Sequence, residues 1–181
     1  MPAADTLDTK FNALLNDQIR SELGASQQYL AIAVHFDGAD LPQLAQLFYR
    51  QSVEERNHAM MLVRYLLDRG VTVEIPAIEP VRNAFETPRD AVGLALELER
   101  EVTEQFNRLV ATARDEGDYL GEQFVQWFLK EQVEEVATMT TLVRIAERAG
   151  ADLFHLEDFV AREMSTGAAD PTAPKAAGGA L

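Results

Sequence analysis

Apolar positions recur at alternating steps of three and four along four long stretches, the spacing of one face of an α-helix. The first stretch runs from about Thr6 to Phe36 and stops at Asp37-Gly38. The second follows Asp40-Leu41-Pro42 and ends at Gly70; Asp40 stands where a helix N-cap belongs, and Pro42 is tolerated in a first turn. The third lies between Thr87-Pro88 and Gly117, and the fourth between Asp118 and Gly150. A short fifth runs from about Asp152 to Glu163. Val71-Thr72-Val73-Glu74-Ile75 alternates like a strand, but Pro76 and Pro80 follow closely, so the connection 70–87 reads as extended loop. The second helix would be roughly 42 Å long, and the connection can reach about 60 Å. It can therefore run the length of the bundle, which makes helices two and three parallel. The prediction is an all-α four-helix bundle with one long crossover and a short fifth C-terminal helix, a domain over 1–164. The remainder, 165–181, is rich in Ala, Gly, Pro and Thr and is expected to be a flexible tail. The alternative for it is a peptide that docks on a partner protein.

Composition narrows the chemistry. The chain has 181 residues, 16 Lys or Arg and 30 Asp or Glu, for a net charge of −14. That balance speaks against binding a nucleic-acid backbone, which needs a basic footprint, and suits a protein that attracts cations. Cys is absent, which removes disulfides, thiolate zinc sites, cysteine nucleophiles and Cys-held clusters. No apolar run approaches the roughly 20 residues of a membrane span, and the first residues lack a secretory pattern; the expected location is the cytoplasm.

The apolar stripes are interrupted in a regular way. Helix one reads Phe11, Leu15, Gln18, Glu22, Ala25, Tyr29, Ile32, Phe36, and helix two Leu44, Phe48, Gln51, Glu55, His58, Leu62, Tyr65. Helix three reads Val92, Leu96, Glu99, Thr103, Phe106, Val110, Ala113, and helix four Phe128, Gln132, Glu135, Met139, Leu142, Ala146. Each stripe meets a carboxylate near its middle: Glu22, Glu55, Glu99 and Glu135. An inward charge loses several kcal/mol of hydration, and four like charges would force some to protonate. A pair of divalent cations resolves the conflict, +4 against −4. Glu55-x-x-His58 sets two ligands one turn apart on one face, and Gln132-x-x-Glu135 repeats the spacing. Oxygen and nitrogen donors without thiolate suit iron or manganese, and iron fits an open, carboxylate-rich shell that leaves room for dioxygen. Glu54, Glu131 and Glu134 crowd the same region and are read either as a third metal position or as a solvated acidic face.

With these residues in view, the chain resembles the prokaryotic non-haem ferritins, and the actinobacterial ferritins of the bacterial ferritin B family in particular. The resemblance covers about 6–163 and is carried by SELGASQQYLAIAVHF, SVEERNHAMMLVRYLLDRG, LELE and DEGDYLGEQFVQWFLKEQVEEV. It implies a first iron site from Glu22, Glu55 and His58, and a second from Glu55, Glu99 and Glu135 with Gln132 close by. It implies a third from Glu54, Glu131, Glu134 and Glu135. The activity implied is that of a ferroxidase: Fe(II) oxidised by dioxygen or peroxide, and ferric mineral stored in a 24-subunit homo-oligomeric cage. Bacterioferritins carry a second His where this chain has Glu135, and a haem-ligating Met where it has Arg56, so haem is not expected. A haem-binding cage of that kind and a di-iron oxidase or peroxidase without storage are the alternatives. Tyr29, two turns beyond Glu22, is expected to hydrogen-bond a ligand or give an electron. Trp127 is read as packing, and His35 and His155 as structural or exposed. Asp115, Glu116, Asp118 and Glu122 form either a cation funnel or a solvated turn.

Overall fold

The computed structural model describes residues 9–164 and 170–181. The predicted helix start at Thr6 and the first part of the predicted tail lie outside them. Five helices follow in order: α1 Lys10–Asp37, α2 Pro42–Asp68, α3 Pro88–Asp115, α4 Tyr119–Ala149 and α5 Leu153–Glu163. Among the described residues there is no strand, and 70–87 is an irregular crossover. Among the described residues no helix is long and apolar enough to cross a membrane.

Two apolar clusters fix the helix directions. One joins Phe36 of α1, Leu44 of α2, Val92 of α3 and Leu142 of α4. The other joins Phe11, Leu62, Leu109 and Val125 of the same four helices. The starts of α2 and α3 thus share one end of the bundle and their ends share the other, so these two helices are parallel, as the loop length predicted. The crossover lies along α1: Glu74 N donates to Asn16 Oδ1 at 3.1 Å, and Gln28 exchanges two hydrogen bonds with the Arg82 backbone at 2.8 Å. Gly70 opens this loop at φ 75°, a left-handed conformation that glycine adopts without steric cost. At the same end, a Cβ on residue 121 would stand 2.5 Å from the Phe11 ring; glycine there lets α4 approach α1.

The helix starts are held partly from a distance. Thr9 caps α1, Thr87 caps α3 and Asp118 caps α4, each accepting from the amide three residues on. Asp40 does not cap α2, contrary to expectation: it sits at φ 58°, and the cap position falls to Leu41, which offers no side-chain acceptor. The free amides of Gln43 and Leu44 instead donate to the two Glu157 oxygens of α5, at 2.8 and 2.9 Å. Glu116 does the same for α1, accepting from Lys10 and Phe11. A carboxylate at a helix N-terminus satisfies orphan donors and complements the helix dipole. Of the four acids at the α3–α4 turn, Glu116 is therefore a cap, Asp118 pairs with Arg69, and Glu122 pairs with Arg114.

Residues 170–181 lie against α2 and α4 of their own chain. Ala177 N donates to Met60 O at 2.9 Å, Leu181 N to Asn57 Oδ1 at 3.2 Å, and Asp170 accepts from Lys130 Nζ at 3.0 Å. Ala173, Ala176 and Ala177 pack on the second cluster. Their small side chains let an extended backbone lie close to the helices, which composition alone reads as flexibility.

Candidate metal centre

Between the two apolar clusters lies a polar layer. Glu22 and Glu55, His58, Glu99, Gln132 and Glu135 are all buried, Glu22 completely. The helical stripes bring them there: each sits on the inward face at mid-helix, and the apolar residues on either side bury it. Ser26 Oγ donates to Ser52 O at 2.7 Å and ties α1 to α2 beside the layer.

One oxygen each of Glu22 and Glu55 and one ring nitrogen of His58 lie within 4.8 Å of one another, close enough to share a cation. Among the described residues this is the acid and histidine cluster that is already gathered. His58 Nδ1 is 3.0 Å from Glu55 Oε2, and Gln18 Nε2 donates to Glu22 Oε1 at 2.8 Å. Glu22 Oε2 is buried and has no partner among the described residues. On the α3–α4 side the Tyr29 hydroxyl donates to Glu99 Oε1, and Gln132 Nε2 donates to Glu99 Oε2 and Glu99 O, both at 3.0 Å. Thr103 Oγ1 donates to Glu99 O at 2.8 Å.

Burial pushes all four carboxyls upward. For Glu22 it is the largest cause, followed by the Glu55 charge; for Glu55 the charges of Glu99, Glu135 and Glu54 add to it. Glu99 is raised by burial against the hydrogen bonds from Tyr29 and Gln132. Glu135 is raised from its ordinary 4.5 to about 8, by burial and then by Glu54 and Glu99. Burial and the Glu99 charge also raise the Tyr29 phenol, which keeps it a neutral donor. Carboxyls that hold protons so tightly in a water-poor layer exchange them readily for divalent cations. The donor set, four carboxylates with one imidazole and one amide, is hard and thiolate-free, as iron or manganese requires.

The remaining expected residues are placed less tightly. Glu54 is half-buried and accepts from Gln51 Nε2 at 2.9 Å. Glu131 is half-buried, raised by burial, and 3.9 Å from Lys130 Nζ; Glu134 is exposed. These three are not gathered into one cluster as Glu22, Glu55 and His58 are. Trp127 stands edge-on to the His58 ring at 5.8 Å and donates to Asp170, so it packs beside the polar layer rather than in a generic core. His35 packs on Phe36 and Phe85, and His155 is exposed. Gln18, Gln51 and Thr103 also border the layer, each a polar interruption of an apolar stripe near an acid.

The family model for the ferritin-like domain matches residues 12–149. The chain is 75% identical to ferritin BfrB of Mycolicibacterium smegmatis over the full length of both, and 65% identical to ferritin BfrB of Mycobacterium tuberculosis over 96% of each. It is 36% identical to a bacterial non-heme ferritin of Staphylococcus aureus, over 76% of this chain and 83% of that one. An open-pore ferritin of the archaeon Archaeoglobus fulgidus superimposes with a TM-score of 0.81 at 30% identity, covering 85% of this chain and 96% of that one. Five helices joined by one long crossover, with a buried carboxylate layer at mid-bundle and relatives of this closeness, place the chain in the ferritin family.

Proposed function

We propose that the chain is an iron-storage ferritin that oxidises Fe(II) at a paired centre inside each subunit and keeps the ferric product in a 24-subunit cage. The observation that carries this reading is the buried layer of Glu22, Glu55, His58, Glu99, Gln132 and Glu135 between two apolar clusters. Fe²⁺ is substrate and cargo. Two Fe²⁺ balance the four carboxylates once these release their protons, and dioxygen or peroxide then takes one electron from each. Glu55 is gathered with Glu22 and His58 and feels the charges of Glu99 and Glu135, and is assigned the shared position. Glu22 and His58 complete one half; Glu99 and Glu135 complete the other, with Gln132 holding Glu99 in place. Tyr29 supplies a neutral donor to Glu99, which moderates that carboxylate without cancelling its charge. The ferric pair carries +6 against −4, so protein charge alone no longer matches it, and water-derived oxygen ligands make up the rest.

Glu54, Glu131 and Glu134, with Glu135, are assigned to a third, weaker iron position on the α2–α4 side. Half-burial of Glu54 and Glu131 supports it.

The test is aerobic Fe(II) oxidation by the wild type beside Glu55→Ala and His58→Ala, with particle size read by chromatography. The initial rate is expected to fall about 100-fold in each variant while a large particle still forms. Equal initial rates in all three would remove the paired centre from the mechanism.

A further inference from the structure

Three glutamines face the polar layer, and they are not equivalent. Gln18 donates to Glu22, and Gln132 to Glu99. Gln51 donates through Nε2 to Glu54 Oε2 at 2.9 Å, but its carbonyl oxygen Oε1 is sealed from solvent and has no hydrogen-bond partner among the described residues. The residue is 7% exposed. Its nitrogen is taken by Glu54, so the amide faces the layer with its oxygen unsatisfied. The other donors of the layer are committed: Tyr29 and Gln132 to Glu99, and Gln18 to Glu22. The one side chain that Gln51 bonds is a carboxylate, an acceptor like its own oxygen. A buried carbonyl oxygen among acceptors gains from any cation that reaches it.

Glu54 connects this amide to the outside. One side of Glu54 meets Gln51, and the other lines a surface groove of about 470 Å³ together with Tyr49, Arg50, Asn57 and Leu181. The Glu54 charge acts on Glu55, Glu99 and Glu135, so it stands within electrostatic range of three of the four inner carboxyls. Positions 51, 54, 55 and 58 share one face of α2. The groove, Glu54 and Gln51 therefore follow one another on the α2 face that also carries Glu55 and His58.

We propose that Gln51 is a hand-over ligand: its Oε1 receives a divalent cation from Glu54 and passes it to Glu55 and Glu135, and serves the return path to the groove. The assignment rests on the paired-centre reading above. An amide oxygen is a hard donor suited to such cations. It is also neutral, so it holds a cation more loosely than a carboxylate and does not become a resting place. In the empty protein the same amide, through Nε2, keeps Glu54 turned toward the layer.

Zn²⁺, which has no redox chemistry, tests this directly. Trp127 is the single tryptophan and lies on the His58 ring, so its emission reports occupancy of the inner set. Zn²⁺ entry is followed by stopped flow and Zn²⁺ exit by adding a chelator, with stoichiometry from calorimetry. Gln51→Leu is expected to bind as many ions per chain as wild type, with affinity within about threefold, while entry and exit both slow about tenfold. Gln51→Glu puts a charged ligand at the same point; it is expected to retain one additional Zn²⁺ per chain and to slow exit. Should Gln51→Leu fail to fold, Gln51→Glu decides alone. Entry, exit and stoichiometry equal to wild type in the folded variants would overturn the hand-over role and leave the paired centre standing. Absence of paired binding in the wild type itself would overturn the paired centre and the hand-over with it.

Discussion

The α1–α2 side of the polar layer and the α3–α4 side contribute two carboxylates each, yet they are held in different ways. Glu22, Glu55 and His58 are turned on one another, with one amide donor from Gln18 and one Glu22 oxygen free of partners among the described residues. On the other side both oxygens of Glu99 are occupied, one by Tyr29 and one by Gln132. The first side is a gathered set that leaves one buried oxygen without a donor. On the second, Glu99 is satisfied by neutral donors at both oxygens. A buried oxygen without a donor gains more from a cation than a carboxylate that is already satisfied. The first ion should therefore bind at Glu22, Glu55 and His58.

The largest expected effect tests that order. In calorimetric titration with Zn²⁺, Glu55→Ala should weaken the tighter of the two binding events about 100-fold. Glu99→Ala should leave that event nearly unchanged and weaken the second about tenfold. If Glu99→Ala struck the tighter event as hard as Glu55→Ala, the two sides would not differ in readiness.

A change of pH sharpens the same contrast. Glu135 holds its proton up to about pH 8, against an ordinary value of 4.5. Between those values the folded protein binds more protons than the unfolded chain, so metal-free stability falls as pH rises through the window. The loss from this one group is on the order of 5 kcal/mol at most. Thermal unfolding of metal-free protein should show a midpoint that drops from pH 5 to pH 8, and Glu135→Gln should flatten the drop. With Zn²⁺ at saturation the trend should reverse, because protons then compete with the ion. A midpoint that rises with pH in the metal-free protein would refute the upward shift.

The smallest effect is a control outside the layer. Glu157→Gln leaves the α2 amides with a weaker acceptor and should cost about 1 kcal/mol in urea unfolding. Zn²⁺ affinity should stay as in wild type. A loss of affinity would mean that the gathered state of Glu55 and His58 depends on how α2 is anchored rather than on the layer itself.

Much of this site was legible in the stripes. Glu22, Glu55, His58, Glu99, Gln132 and Glu135 were picked as inward by position, and all six are buried. Gln51 is on the same stripe but carries no charge to betray it; its orphaned oxygen exists only once the packed helices bury it. Trp127 was one residue off its stripe, and only the packing of α2 against α4 brings its ring to His58. Asp40 illustrates the opposite error: the right residue type stood at the right place, and Glu157 from α5 took the task instead.

Helix identity, the inward face of each helix and the parallel course of α2 and α3 follow from the sequence by itself. Side-chain direction repeats with local backbone geometry, and chain length bounds what a connection can span. The tertiary structure alone decided which donor satisfies which carboxylate, which distant acid caps which helix, and where residues 170–181 lie. Those choices depend on groups brought together from remote parts of the chain. Their energies are set by distance and by exclusion of water, and neither is defined until the helices have packed.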